Sequence, residues 1–306
     1  MTVVLQETLR AVFYTPFYAA LALGAYAVEG VEVELVSAPN PDSAADGLLD
    51  GSVHITWGGP LRVIKLHDRI PDCDLVAFCE VVTRDPFSVV GRMPRPGFKM
   101  ADLDGGPMIA TVAEVPTPWL CLQEDLRRAG VEPARVNRID DRPMAETIAM
   151  LRNREVDAVQ LFEPYVEQLL AEGSGHLWYS AADRGPTSYT TLYARRSVIA
   201  ARRDEIGRIV RAVYRTQKWL HGATAAEISE VVSGYFPTLA QVRLAASIER
   251  YKRLGIWGQN PRLPRSGFER LRAGIISGGF VSRAATYDQV VDNSFAEQAI
   301  RAHPLG

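Results

Sequence analysis

The stretch "AVFYTPFYAALALG" (11–24) has a partner in "VPTPWLCLQEDLRRAG" (115–130). In each, an apolar run meets Thr-Pro and an aromatic residue, then passes into a helix-forming run that stops at Gly. Proline suits the first helical position, where its missing N–H removes no bond. Threonine suits the cap before it, and Gly supplies the left-handed closing residue. Each stretch therefore reads as a strand-to-helix corner, the first with "LRAVFY" as its strand, Thr15 as cap and Gly24 as terminator. Two such corners predict two α/β units.

The sequence around each corner repeats the plan. In the first unit "VEVELVSA" and "SVHITWGG" read as strands, and "AADGLLDG" and "RVIKLHD" as helices. "DLVAFCEVV" is continuously apolar, as a strand buried on both faces should be. In the second, "PMIATV", "RVNRID" and "VDAVQLF" alternate with helices at 117–130, "MAETIAMLRNRE" and "YVEQLLAEG". Such alternation predicts an α/β fold with parallel strands. After about residue 197 only helical spacing remains. The polar, Pro-, Gly- or Arg-rich stretches "TRDPFSVVGRMPRPG" (83–97) and "SAADRGPTSYTTLYARR" (180–196) read as two linkers. Two crossings imply an insertion: residues 1–83 plus 190–306 form lobe one, and 90–185 form lobe two. Two lobes on two linkers form a hinge about a cleft.

Composition narrows the function. The 306 residues carry a net charge of −2, with 47% apolar and 23% charged residues. This is ordinary globular chemistry, and the balance argues against a nucleic-acid partner. No run reaches the ~20 apolar residues of a membrane span, so no membrane insertion is expected. "MTVVLQETLR" lacks the features of a secretion signal. The expectation is a cytoplasmic protein if the sequence is complete, and a periplasmic one if a leader has been removed. Cys73, Cys79 and Cys121 have neither disulfide nor zinc spacing. No metal site, cofactor motif or nucleophile motif is recognised.

In open α/β sheets ligands bind beyond the carboxyl ends of the strands. The two corners would therefore face each other across the cleft, offering helix N-termini to an anionic or strongly polar group. Aromatic walls would come from Tyr14, Phe17 and Tyr18 on one side and Trp119 on the other.

The order "PFYAALALGAYAVEGVEVELV", "GLLDGSVHITWGG", "ADLDGGPMIATV", "MLRNREVDAVQLFEPYVEQLL" and "YDQVVDNSFAEQAI" resembles the substrate-binding proteins of ABC importers in the nitrate, taurine and alkanesulfonate group. That group includes thiamine-pyrimidine-precursor binders and pyrimidine-synthase-like proteins. The resemblance implies a type II periplasmic-binding-protein fold with a two-strand hinge, a small organic ligand (sulfonate, carboxylate or pyrimidine-like) and an ABC permease as partner. It places Tyr14, Thr15, Phe17, Asn40, Ser43, Trp57, Gly58 and Gly59 on one side of the cleft. Glu114, Thr117, Trp119 and Glu163 stand on the other, Glu163 holding an amino group in aminopyrimidine binders.

The departures count too. His54 stands where Asp is usual, and "DLDGG" replaces a lysine-bearing turn. The pyrimidine synthase's cysteine-rich motif is absent. A sulfinate desulfinase on this fold shares Val53, His54, Thr56 and Pro60, but its nucleophilic cysteine has no counterpart and Arg62 comes too early for its arginine. This leaves a second expectation, an enzyme acting on a small aromatic or heterocyclic substrate with His54 as its acid–base group. Each candidate has a plainer alternative: His54 as a satisfied core histidine, Glu163 as a helix-start carboxylate, the threonines as caps, and Trp57 and Trp119 as packing.

Overall fold

The structure, a computed structural model, describes residues 2–304 apart from Ala284. Among these residues ten strands form two five-stranded sheets. The first contains β1 (Val3–Glu7), β2 (Val33–Ser37), β3 (Ile55–Gly58), β4 (Leu75–Val82) and β10 (Thr190–Arg195), in the order β2-β1-β3-β10-β4. The second contains β5 (Ser88–Gly91), β6 (Ile109–Ala110), β7 (Arg138–Ile139), β8 (Ala158–Leu161) and β9 (His176–Ser180), in the order β7-β6-β8-β5-β9. Both sheets follow one scheme. Three strands run parallel, and a fourth lies antiparallel between the third and the edge strand. The fold class is α/β, as the alternation predicts.

The antiparallel strands correct the sequence reading. β5 and β10 fall inside the stretches taken as linkers, although "SVVG" is fully buried and β10 is buried up to its last residue. Their neighbours are polar, which hid them, and each is supplied by a distant part of the chain. The crossings themselves are short, 83–87 and 181–189. They bond to each other, Thr187 N–H donating to the Thr83 carbonyl (2.8 Å) and Ala181 N–H to that of Phe87 (2.9 Å).

The first corner is also revised. The strand is "VVLQE", paired in parallel register with β2 through Leu5 and Leu35. "VFY" of "LRAVFY" forms a tight turn instead, closed by Tyr14 N–H to the Ala11 carbonyl. Glu7 ends the strand with a buried carboxylate that accepts from Arg10, Tyr18 and Ser37. Burial works to raise its pKa, but the hydrogen bonds from Arg10, Ser37 and Tyr18 and the charge of Arg10 outweigh it, and the group is held below its ordinary value. β4 is buried along its whole length, as its continuous apolarity requires.

Helices cover both sheets, and beyond β10 the described residues are helices and loops. Helix Thr117–Arg128 packs on helix Arg265–Ser277. Gly274 is what lets their backbones approach: a Cβ there would lie 3.3 Å from the Leu120 carbonyl oxygen. No helix among the described residues is long and apolar enough to cross a membrane.

Candidate functional site

A cavity of about 980 Å³ opens where β1, β3, the crossings and the β6 and β8 loops of the second sheet converge. Its volume is at the upper end of small-molecule sites. Its floor is an aromatic cluster drawn from four separate parts of the chain: Phe13 after β1, Phe87 and Tyr189 on the two crossings, and Phe162 after β8. Phe13 meets Phe162 edge-on at 5.3 Å between ring centroids, Phe87 meets Phe162 at 5.2 Å, and Tyr189 lies 6.0 Å from Phe87. Tyr14, Tyr165, Tyr235, Phe236 and Phe280 extend the aromatic surface.

The charged lining is unbalanced. Arg10, Arg62, Lys65, Arg69 and Arg243 face Asp46 and Glu114. Arg62, Lys65 and Arg69 recur at helical spacing on one face of helix Pro60–Arg69, which starts directly after β3. Lys65 also sits 4.9 Å over the Phe280 ring. Arg10 is neutralised by Glu7. Among the described residues no carboxylate pairs with Arg62, whose Nε donates to the Pro41 carbonyl at 2.9 Å.

Four of the sequence candidates line the cavity: Tyr14, Gly59, Glu114 and Thr117. Glu114 Oε1 also accepts from the Met144 N–H (2.8 Å), which starts the next helix. The others lie elsewhere. Thr15 is fully buried and its hydroxyl donates to the Val12 carbonyl, so it serves the turn rather than capping or touching a ligand. Phe17 and Trp57 stack on each other at 4.5 Å and 3° in the core beneath the first corner. Asn40 and Ser43 hold their own loop, Ser43 N–H donating to Asn40 Oδ1 at 3.0 Å, while Pro41, Ala45 and Asp46 of that loop reach the cavity. Gly58 lies behind Arg62. Trp119 packs outward, with the Arg138 guanidinium 4.2 Å over its ring.

Glu163 is correctly placed after β8 but points behind the wall. It is 1% exposed, its Oε1 is 2.7 Å from Arg250 Nε, and its Oε2 accepts the Glu167 N–H at 2.9 Å. The neighbours Phe162 and Pro164 take the cavity positions. His54 stands at the opposite end of β3 from Gly59, and its Nδ1 accepts the Val4 N–H at 2.9 Å. Burial, with the nearby Arg202 charge, lowers its pKa. An acid–base role for His54 in this cavity does not fit that position. The cysteines offer no activated thiol: burial pushes Cys121 up to about 12 and Cys79 higher still.

The arginine–lysine face of helix Pro60–Arg69 and the aromatic floor escaped the sequence reading. The signal for the first was present, as basic residues at positions 62, 65 and 69 after Gly-Gly-Pro. The second had none, because its four rings come together only through the crossings.

The NMT1-like family matches residues 97–233, a little under half of the chain. The putative binding protein YtlA of Bacillus subtilis is 23% identical over 294 residues, which are 95% of this chain and 88% of that protein. The periplasmic aliphatic sulphonate binding protein SsuA from Escherichia coli superposes with a TM-score of 0.75 at 15% identity, over 94% of this chain and 96% of its own. This is the periplasmic-binding-protein fold. The resemblance read from the sequence, to binding proteins of ABC importers, is therefore met at the level of the fold and of the relatives matched. The same architecture also carries an enzyme: the desulfurization enzyme DSZB, in complex with biphenyl-2-sulfinic acid, superposes with a TM-score of 0.70 at 13% identity over 99% of both chains.

Proposed function

We propose that this protein is the solute-binding component of an ABC importer and that it holds an organic anion with an aromatic or extended apolar body. The two lobes of the proposal are residues 1–83 plus 190–306 and residues 90–185, closing over the ligand about the crossings at 83–87 and 181–189. The observation that carries the reading is the cavity lining, with four cations besides the Glu7-paired Arg10 against two carboxylates, above a floor of packed rings. A cation-rich cavity attracts anions, and the rings reward a flat or apolar body. Micromolar binding needs ~8 kcal/mol. One or two charge-assisted hydrogen bonds at ~1.5–3 kcal/mol each, with ring contacts at ~0.5–1.5 kcal/mol, supply a gross attraction of that order before ordering costs. Glu163, the carboxylate expected to hold an amino group, is buried against Arg250 behind the wall, which favours the anion reading. Fold neighbours that take a sulphonate and an aromatic sulfinate are consistent with the oxyanion chemistry.

The test is a melting-temperature panel of organic acids, amines and neutral aromatics, followed by small-angle scattering with the best stabiliser. Stabilisation confined to acids, compaction of the chain and recovery of the compound unaltered are the expected results. Stabilisation by amines alone, or by nothing, would overturn the proposal.

A further inference from the structure

Within the cavity, one charged group is held differently from the rest. Arg62 sits in the first turn of helix Pro60–Arg69, its N–H on the Gly59 carbonyl and its Nε on that of Pro41. The guanidinium passes over Gly58, where a Cβ would lie 3.1 Å from Nη1. Only a glycine lets it approach β3 this closely. Two tyrosine hydroxyls lie near it. Tyr14 Oη, on the cavity, lies 3.2 Å from Thr8 Oγ1. Tyr193 Oη lies 3.3 Å from the point a Gly58 Cβ would occupy. Tyr193 and Thr190 hydroxyls are buried without a hydrogen bond of full geometry. Burial pushes the Tyr14 and Tyr193 phenols up while the Arg62 charge opposes it, which marks how near the guanidinium lies to both. With Nε fixed to a backbone carbonyl, Nη1 on the Tyr193 side over Gly58 and no carboxylate pairing among the described residues, the charge of the fork is left to the cavity.

We infer that Arg62 and the Tyr14 hydroxyl form the receptor for the ligand's oxyanion, a carboxylate or a sulfur oxyanion, with the apolar body lying on the Phe13–Phe87–Phe162–Tyr189 floor. The inference rests on the organic-anion reading and adds where the charge is read and which residues set the preference. A planar guanidinium held at Nε, with the Tyr14 hydroxyl as a second donor, matches an oxyanion and loses little freedom on binding. Arg69 and Lys65, further along the helix, steer the ligand inward.

The experiment pairs each carboxylate and sulfonate of a panel with its own amide or sulfonamide. It measures stabilisation and affinity for the wild type, Arg62→Met, Arg62→Lys, Gly58→Ala and Tyr189→Ala. Acids should outbind their neutral partners in the wild type. Arg62→Met should remove that margin, about ten- to hundred-fold, and leave neutral partners unchanged. Arg62→Lys should restore part of it, and Gly58→Ala, which crowds the guanidinium, should weaken acids while keeping every charge. Tyr189→Ala should weaken acids and neutral partners alike. A margin that survives Arg62→Met, with Tyr189→Ala still weakening both, would overturn the receptor and leave the cavity reading standing. Amides that bind the wild type as well as acids would overturn both the receptor and the organic-anion reading. Acids that fail to bind at millimolar concentration, or that bind indifferently to every variant, would overturn both.

Discussion

The two walls of the cavity differ in kind. The wall built on the first sheet and the C-terminal helices holds all five cations, Arg10, Arg62, Lys65, Arg69 and Arg243. The wall built on the second sheet is Val115, Pro116, Thr117, Met144, Phe162, Pro164, Tyr165 and Gln168, with Glu114 as its one charge. The Thr-Pro corners show the same divergence from nearly the same words. Thr15 is spent inside its turn and Phe17 in the core, whereas Thr117 stands at the cavity edge. A repeated corner thus makes a repeated scaffold, and the two corners give different side chains to the cavity, Phe13 and Tyr14 from the first and Thr117 from the second. On the proposed function, one wall reads charge and the other covers the apolar body.

The largest effect should come from the joint that holds the walls together. Arg184, on the second crossing, pairs with Asp85 of the first crossing at 2.8 Å and with Asp125 of helix Thr117–Arg128, and Asp125 also accepts from Tyr179 at 2.9 Å. The arginine is 6% exposed and Asp85 1%. Arg184→Met leaves two buried carboxylates without their cation and should cost ~3–5 kcal/mol in chemical denaturation. A cost below ~1 kcal/mol would show that the joint does not fix the walls.

Glu163→Ala should come next. Glu167 keeps Arg250 paired, so the loss of stability should be smaller, and acid affinity should stay within about twofold. A tenfold loss of affinity would move Glu163 from behind the wall to the ligand.

A pH series separates stability from recognition. Glu80 on β4 is buried with no cation paired to it among the described residues, and burial raises it from 4.5 to about 8, the nearby Ser188 and Thr83 hydroxyls opposing the rise. The folded chain keeps a proton that the unfolded chain has lost between those values. The contribution of Glu80 to stability should therefore be fully present below about pH 4.5 and be lost as pH rises towards 8. Glu80→Gln should flatten that part of the profile. Arginine does not titrate in this range, so affinity for an acid should not track the decline. Affinity that falls in step with stability would tie recognition to a titrating group.

The smallest effect belongs to Glu114→Gln. Removing an exposed charge from the covering wall should improve acid binding by up to about fivefold. A loss of acid binding would give that wall a polar contact with the ligand and blur the division between the two walls.

Much of the fold was legible because parallel strands and their helices are local: an apolar run, a cap, a helix, a glycine. β5 and β10 were not, because each is bonded between strands that lie far from it in sequence. The site was legible only where a corner led straight to the cavity, as at Tyr14, Gly59, Glu114 and Thr117. Trp57 and Glu163 have the residue types of a binding site, but their side chains turn to a stacked core and to an ion pair. No local pattern distinguishes those directions from cavity-facing ones. Arg62 carried a usable signal, a basic residue two positions after the proline that opens a helix at the end of β3.

The most direct test of the central claim is mass spectrometry of small molecules released by denaturing the freshly purified protein. The expected result is a near-stoichiometric organic acid with an aromatic or extended apolar body, recovered from the wild type and depleted in Arg62→Met. Recovery of an organic cation or a neutral heterocycle, at equal yield from both, would contradict it.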